Sequence, residues 1–199
     1  CFCLDLAKLG KDTRFINTYK HLPELIEKSF LETFWNEEKG YLADYVDNEH
    51  TCWQVRPNQI IAASIDYNLI PDDIKQKVIE VVKNELLTPY GLRTLSPNDE
   101  HYEPVYEGDQ PARDKAYHNG TVWPWLLQPF CIAYIKLYKK SGVPLLKRIY
   151  EGFEPILTEY GVGTIGEIFD GNPPHKPRGA VSQAWSVAAL ITIELLIND

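Results

Sequence analysis

Apolar side chains recur at intervals of three and four residues along most of this chain, and this helical period limits the folds that it can adopt. The run from Phe15 to Phe34 has this period, with Asp12 as a candidate N-cap. Pro23 interrupts the run and predicts either two helices or one kinked helix. A second apolar stripe follows the start signal Pro71-Asp72-Asp73. The chain is therefore predicted to be built mainly from helices.

Four further segments have helical periodicity, and they cover residues 57–67, 123–140, 143–160 and 181–197. Together the segments predict roughly six helices of ordinary length, apolar on more than one face and layered in α/α pairs. Residues 40–46 alternate in polarity beside a glycine and predict one short β-hairpin. We expect an all-α fold with residues 1–199 in a single partial domain.

Two long stretches, residues 88–122 and 161–179, have no clear periodicity. Irregular loops longer than about 15 residues are uncommon inside compact domains and tend to be functional. We therefore expect the chemistry of this protein to lie in these loops.

Charge and hydropathy exclude two classes of partner. The net charge is −8 and no basic run occurs, so we expect no nucleic-acid binding. The most apolar stretch, residues 184–197, contains Ser186, Thr192 and Glu194 and is too short to span a bilayer. We expect no membrane association and interpret this stretch as a core helix.

The cysteines and histidines do not indicate a metal site. Four cysteines occur without a Cys-x-x-Cys pair, and the five histidines lack the spacing of zinc ligands. Buried free thiols in a reducing compartment are the simplest interpretation, which predicts a cytoplasmic protein. Phosphate-binding and dinucleotide fingerprints are also absent, so we predict no metal and no cofactor.

Aromatic side chains make up 12% of the sequence, and many lie in or beside the loops. Flat rings stack on the apolar face of a sugar, while amides, histidines and guanidinium groups bind its hydroxyls. His118 lies just before a predicted helix start and is a candidate donor to a sugar hydroxyl. The loop aromatics are Trp53, Tyr90, Tyr102, Tyr106, Tyr117, Trp123 and Trp125, and the polar residues among them are Arg56, Asn58, Gln59, Arg113, His118 and Asn119.

Hydrolysis of a glycosidic bond requires two carboxyl groups, one as an acid and one as a base or nucleophile. Glu167 and Asp170 stand out among the loop carboxylates because they lie in the glycine-flanked segment Gly163–Gly171. A carboxylate between isoleucines on such a turn is held in place rather than freely solvated. The other candidates are Asp44, Asp47, Glu100, Glu103 and Glu107.

Five segments, in this order and spacing, resemble the glucosidase domain of glycogen-debranching enzymes. They are Arg56–Gln59, Thr88–Arg93, Tyr117–Trp125, Gly166–Gly171 and Pro177–Ser186. The resemblance implies an (α/α)6 toroid and amylo-α-1,6-glucosidase activity on glycogen or limit dextrin, with inversion at the anomeric carbon. It implies that Glu167 is the general base. Residues implied to line or support the glucose site are Arg56, Asn58, Gln59, Tyr117, His118, Trp123, Trp125, Asp170, Gln183 and Trp185.

The chain departs from the family pattern at three positions beside these residues. We expect serine where Gly166 stands, glutamine at Asn119 and cysteine at Ala180. These differences concern fine substrate preference rather than the class of enzyme.

The resemblance also implies a general-acid aspartate upstream of Cys1, and the predicted helices account for about half of a toroid. We therefore expect the chain to be a fragment that is inactive alone. Half a ring would expose an apolar seam, so self-association is also expected.

Two other functions fit the residues. The chain could be a glucan-binding module without catalysis, in which case Glu167 would be dispensable. It could also belong to another α/α-toroid sugar enzyme, of the glucoamylase or trehalase type or an epimerase. Epimerases need histidine acid/base pairs, and only His118 is well placed for that role.

Overall fold

The computed structural model describes residues 1–67 and 70–199, and helices dominate this part of the chain. The helices are α1 (Phe2–Leu9), α2 (Thr13–Tyr19), α3 (Leu22–Phe34), α4 (Asn58–Ser64), α5 (Asp72–Glu85), α6 (Gln110–Tyr117), α7 (Leu127–Tyr138), α8 (Val143–Glu151), α9 (Ile156–Glu159) and α10 (Ala184–Asn198). The prediction of a mainly helical fold is confirmed.

Local capping signals explain where several helices begin. The Asp12 carboxylate accepts a hydrogen bond of 2.9 Å from the Phe15 backbone N–H at the start of α2. Pro23 is the second residue of α3, where the absence of an N–H costs nothing, so the interrupted run forms two helices. Pro71 precedes α5, which has Asp72 and Asp73 in its first turn. Pro57 is the N-cap of α4 rather than its first residue.

Helix α7 lies at the centre of the helical layer and packs against α4, α5 and α10, while α10 also packs against α8. Ile60, Val78, Phe130 and Ile193 contribute side chains that are fully buried between these helices. Such burial stabilises the fold by about 1.5–3 kcal/mol for each large apolar side chain.

The predicted hairpin at residues 40–46 is divided between two hairpins. Strand β1 (Trp35–Asn36) pairs with β2 (Tyr41–Leu42), and β3 (Tyr45–Val46) pairs with β4 (Thr51–Cys52). The connection between β2 and β3 therefore turns the chain at Ala43 and Asp44, and both side chains point away from bulk solvent.

A five-stranded antiparallel sheet is the main feature that the sequence did not predict. Its strands, in spatial order, are β5 (Leu87–Thr88), β6 (Gly91–Arg93), β7 (Val122–Trp123), β8 (Ile168–Phe169) and β9 (Pro177–Arg178). The expectation that residues 88–122 and 161–179 are irregular is wrong at these strands and at α6. Strands of two or three residues are too short to show an alternating pattern.

Several predicted helix boundaries also differ. The segment 123–140 begins as strand β7 and a 3-10 turn at Pro124–Leu126 before α7 starts. The segment 143–160 is divided into α8 and α9, because the chain leaves the helix at Gly152. All four cysteines are free, and Cys52 and Cys131 are buried, whereas Cys1 and Cys3 are exposed. No helix within the described residues is long and apolar enough to cross a membrane.

Gly171 lies just beyond β8 and approaches the Gly120 backbone closely, so we expect that this position does not tolerate a side chain. A Cβ atom at Gly171 would overlap the carbonyl oxygen of Gly120 and the hydroxyl of Tyr102. We expect Gly171→Ala to lower the free energy of unfolding by about 1–3 kcal/mol in urea titrations.

Gly10→Ala is the matched control for this prediction, because a Cβ atom there meets its nearest backbone oxygen at 3.4 Å. This control should change stability by less than about 0.5 kcal/mol. Equal stability of the two variants would contradict the packing described for Gly171.

Candidate functional site

The sheet brings the two loop regions together. Val122 in β7 pairs with Phe169 in β8, and Ile168 in β8 pairs with Arg178 in β9. Because Glu167 directly precedes β8 and Ala180 follows β9, both lie at the same end of the sheet as Trp123. Residues far apart in sequence therefore form one site.

The Glu167 carboxylate is held by two hydrogen-bond donors, one on each oxygen. The Tyr117 hydroxyl donates to Oε1 at 2.5 Å, and the Ala180 backbone N–H donates to Oε2 at 3.0 Å. The side chain is half-buried, so it is neither freely solvated nor sealed in the core. Hydrogen bonds to a charged acceptor are short and strong, and they fix the orientation of this carboxylate.

Tyr117 supports Glu167 instead of presenting its hydroxyl to a ligand. Burial, followed by the hydrogen bond to Glu167 and its charge, raises the pKa of Tyr117 well above its usual range. The phenol therefore remains protonated at neutral pH and can act as a donor.

Five aromatic rings form a continuous cluster beside Glu167. The His118 ring is stacked on Trp123, with centroids 5.4 Å apart and planes inclined by 11°. Tyr117 packs edge-on against Trp123 at 4.9 Å, and Trp185 joins Trp123 at 5.9 Å. Trp125 stacks on Trp185 at 5.6 Å, and the Trp185 side chain is partly exposed. This exposed aromatic surface can stack on the apolar face of a sugar ring.

Next to the cluster lies a cleft of about 450 Å³. Its walls include Arg56, Asn58, His118 and Trp125, which the sequence predicted to surround a glucose unit. Glu167 lies outside the set of residues that line this cleft. The neighbouring residues Tyr117 and His118 connect the two, since their rings are in contact with centroids 4.7 Å apart.

Arg56 organises the wall of the cleft. Its guanidinium donates to Gln54 Oε1, to the carbonyls of Thr94 and His118, and to Asn119 Oδ1, at distances from 2.6 to 3.2 Å. Four of the five N–H groups of an arginine are thus used within the protein. Arg56 therefore ties the start of α4 to the turn that carries His118.

The surroundings of His118 favour its neutral form. Burial, and then the positive charge of Arg56, lower the pKa of His118 from its usual value of 6.5. A neutral imidazole has one donor and one acceptor nitrogen, which suits contact with a sugar hydroxyl.

Two predicted substrate ligands have other roles. Gln59 is only 3% exposed and lies on the core side of α4, where its Nε2 donates to the Arg56 carbonyl. Asp170 is buried and accepts hydrogen bonds from the Arg178 guanidinium and the Tyr106 backbone N–H. These contacts fix β9 relative to the loop before α6, so Asp170 is a structural anchor.

Gln183 and Trp185 lie at the start of α10. The Gln183 side-chain oxygen accepts a hydrogen bond from the Ala184 N–H, and the Gln183 backbone N–H donates to the Ile165 carbonyl. This capping orients the first turn of α10, which carries Trp185 into the aromatic cluster. Within residues 1–67 and 70–199, no three His, Cys, Asp or Glu side chains form a group that could hold a metal ion.

Asp44, one of the candidate loop carboxylates in the sequence, lines the cleft. Two other features of the site were not predicted from the sequence. The Ala180 N–H binds Glu167 through the backbone, which no side-chain pattern reveals. Gly179 adopts a positive φ of 70° beside that carboxylate. The glycine after Arg178 was the sequence signal that could have predicted this backbone conformation.

The site thus combines a mainly helical scaffold with a fixed carboxylate, an aromatic cluster and an adjacent polar cleft. Residues 4–192 match the family model described as amylo-alpha-1,6-glucosidase. The chain belongs to this family.

Relatives of known function match parts of the chain. A glycogen debranching enzyme from Saccharomyces cerevisiae is 33% identical over 45% of this chain and 6% of its own length. A periplasmic trehalase from Escherichia coli is 32% identical over 45% of this chain and 16% of its own length. The chain thus matches only a small part of either relative.

The fold resembles that of a neutral trehalase from Saccharomyces cerevisiae, with a TM-score of 0.66 and 15% identity. The match covers 91% of this chain and 31% of the trehalase chain. This likeness supports the predicted α/α-toroid fold.

The three departures from the family pattern have structural partners. Gly166 lies against the Tyr160 ring, where an added Cβ atom would be 3.2 Å from the ring carbons. Asn119 Oδ1 accepts from Arg56, so a shorter amide still serves this contact. Ala180 contributes its backbone N–H to Glu167, and its side chain is not used in that bond.

The position of Gly179 predicts a specific effect of adding one methyl group. A Cβ atom there would overlap the Glu167 carboxylate, and its φ is unfavourable for a side chain. Gly179→Ala should lose about 1–2 kcal/mol from backbone strain. A further loss of about 1–3 kcal/mol should follow from displacing Glu167 from its two donors.

Gly163→Ala is the matched control for Gly179→Ala. Gly163 has the same φ of 70°, but an added Cβ atom there meets nothing within 4 Å. In urea titrations, Gly163→Ala should lower the free energy of unfolding only by the backbone strain of about 1–2 kcal/mol. Equal losses in the two variants would contradict the contact between position 179 and Glu167.

The lowered pKa of His118 predicts a pH dependence. The unfolded chain binds a proton at His118 more tightly than the folded chain does. The contribution of His118 to the free energy of unfolding is therefore fully present above pH 6.5 and is lost as the pH falls toward the pKa of the folded state. The imidazole C–H signals of His118 in NMR titrations should have a midpoint below 6.5. A midpoint above that value would contradict the burial of this ring against Trp123.

Proposed function

We propose that this chain carries the general base of an inverting glycogen-debranching hydrolase that releases glucose from α-1,6 branch points of an α-glucan. The single observation that supports this most is the Glu167 carboxylate, fixed by Tyr117 and Ala180 beside the aromatic cluster. Membership of the amylo-alpha-1,6-glucosidase family and the likeness to a yeast debranching enzyme support the substrate class.

In this mechanism Glu167 removes a proton from a water molecule that attacks the anomeric carbon. Each carboxylate oxygen accepts one hydrogen bond from the protein and retains lone-pair capacity for water. The C–O bond to the leaving sugar breaks as the new bond forms on the opposite face, which inverts the configuration. Aromatic stacking and the polar cleft hold the glucose unit in position.

The leaving oxygen needs a proton from a second carboxyl group, at about 6.5–9.5 Å from the base in inverting enzymes. We place this general acid outside residues 1–199, on the upstream segment that the family resemblance implies. The proposed activity therefore belongs to the full-length protein. A cytoplasmic location and self-association of the isolated chain remain predictions.

A second candidate is trehalase-type hydrolysis of an α,α-linked disaccharide. It is favoured by the sequence similarity to a bacterial periplasmic trehalase, and the likeness of the fold to that of a yeast neutral trehalase is consistent with it. Both candidates use the same base chemistry, so they differ in what the cleft accepts beyond the first glucose unit.

The test is to measure glucose release by the full-length protein from branched limit dextrin and from trehalose. Release from dextrin is expected, with β-glucose as the first product in NMR spectra. Glu167→Gln should lower kcat at least a hundredfold, because an amide cannot accept the proton from water.

Glu159→Gln, at an exposed carboxylate on α9, is the control and should retain full activity. Undiminished kcat in Glu167→Gln would remove Glu167 from the base role. Glucose release from trehalose alone would support the second candidate, and α-glucose as the first product would contradict inversion.

A further inference from the structure

Asp44 is a carboxylate inside the cleft to which neither the family resemblance nor the proposed mechanism gives a role. It lies in the turn between β2 and β3, and its side chain is only 9% exposed. Buried carboxylates are rare in proteins unless they are paired, so this position requires a partner.

The protein uses only part of the hydrogen-bonding capacity of the Asp44 carboxylate. Asn58 Nδ2 donates to Oδ1 at 2.7 Å. Oδ2 is 3.9 Å from Arg56 Nε, which is an ion-pair distance but too long for a hydrogen bond. Within the part of the chain that the structure describes, Oδ2 accepts no hydrogen bond. An ionised carboxylate can accept about four in total, so most of this capacity is free.

Arg56 does not complete the pair, because its other contacts hold it in place. Its Nε already donates to Gln54 Oε1 at 2.9 Å, and both terminal nitrogens donate to Thr94, His118 and Asn119. The guanidinium therefore lies beside Asp44 without donating a hydrogen bond to Oδ2.

The charges of the cleft suit a neutral ligand that donates hydrogen bonds. Asp44 and Arg56 cancel in charge, and the other lining groups include Gln54, Asn58 and Trp125. A carboxylate among neutral amides and a tryptophan accepts from hydroxyl groups and cannot bind another acceptor. Two hydroxyls on adjacent carbons of a pyranose can donate to the two oxygens of one carboxylate.

We propose that Asp44 is a substrate-binding residue that accepts hydrogen bonds from adjacent hydroxyls of a glucose unit seated against Trp125. Asn58 holds the carboxylate in orientation through Oδ1, and the Arg56 guanidinium lies beside Oδ2. This inference rests on the proposed function, and it adds the residue that selects the hydroxyl pattern of the sugar.

The test uses maltotriose binding to the full-length protein that carries Glu167→Gln, measured by calorimetry. Adding Asp44→Asn should weaken binding about tenfold to a hundredfold, because a charged acceptor is lost. Asp47→Asn is the matched control, since Asp47 is an exposed turn residue whose side chain accepts hydrogen bonds from the N–H groups of Glu49 and His50. This control should bind like the parent.

Monodeoxy analogues of the terminal glucose separate direct contact from a structural role. In the protein with Asp44, loss of one of two adjacent hydroxyls should weaken binding at least tenfold. In Asp44→Asn the same analogue should cost less than threefold. If Asp44→Asn does not fold, Asp44→Glu replaces it, because it keeps the charge and moves the oxygens by one methylene group.

Equal sensitivity to every deoxy analogue with and without Asp44, or unchanged affinity in Asp44→Asn, would overturn the proposal while leaving Glu167 as the base. Absence of maltotriose binding in Glu167→Gln itself would instead overturn the proposed function and the inference with it. Activity on α-glucosyl fluoride gives a separate check in the protein with Glu167. Asp44→Asn should raise KM for this substrate. If KM and kcat for the fluoride are instead unchanged while activity on dextrin is lost, Asp44 is a general acid, and its proposed role in substrate binding is overturned.

Discussion

The pairing of β7 with β8 is the interaction on which the site depends. One register, Val122 opposite Phe169, joins two loops that are separated by the helices α7, α8 and α9. It brings the Tyr117 hydroxyl to the Glu167 carboxylate, and the adjoining pair of β8 with β9 places the Ala180 N–H on its other oxygen. Without this pairing the carboxylate would be an ordinary solvated group, because neither of its donors lies near it in sequence.

Most charged and polar groups around the site bind the protein itself. Arg56 holds the turn that presents His118, and the ion pair between Asp170 and Arg178 fixes β9 beside Glu167. Such groups hold the site rigidly and leave few side chains free for a ligand. Asp44 and the exposed face of Trp185 differ from them, since each retains unused capacity at an accessible surface. This division between supporting and available groups is what a preorganised binding site requires.

The helical part of the fold could be predicted well because its signals are local. The Asp12 cap, the Pro71 start and the apolar stripes each act within a few residues, and the structure follows them. Helix α6 was missed although Asp109 and Pro111 form a start signal of the same kind, and the Asp109 carboxylate indeed caps the Ala112 N–H. Its low apolar content concealed the helical period.

The sequence by itself determined the mainly helical class, the family and the identity of Glu167 as the carboxylate held in place, since these depend on local patterns and on motifs. Only the tertiary structure decided which polar residues face the cleft. Gln59 and Asn58 are adjacent in sequence, yet one points into the core and the other donates to Asp44. The physical reason is that short strands and backbone donors such as Ala180 acquire their roles from long-range pairing, which leaves no periodic trace in the chain.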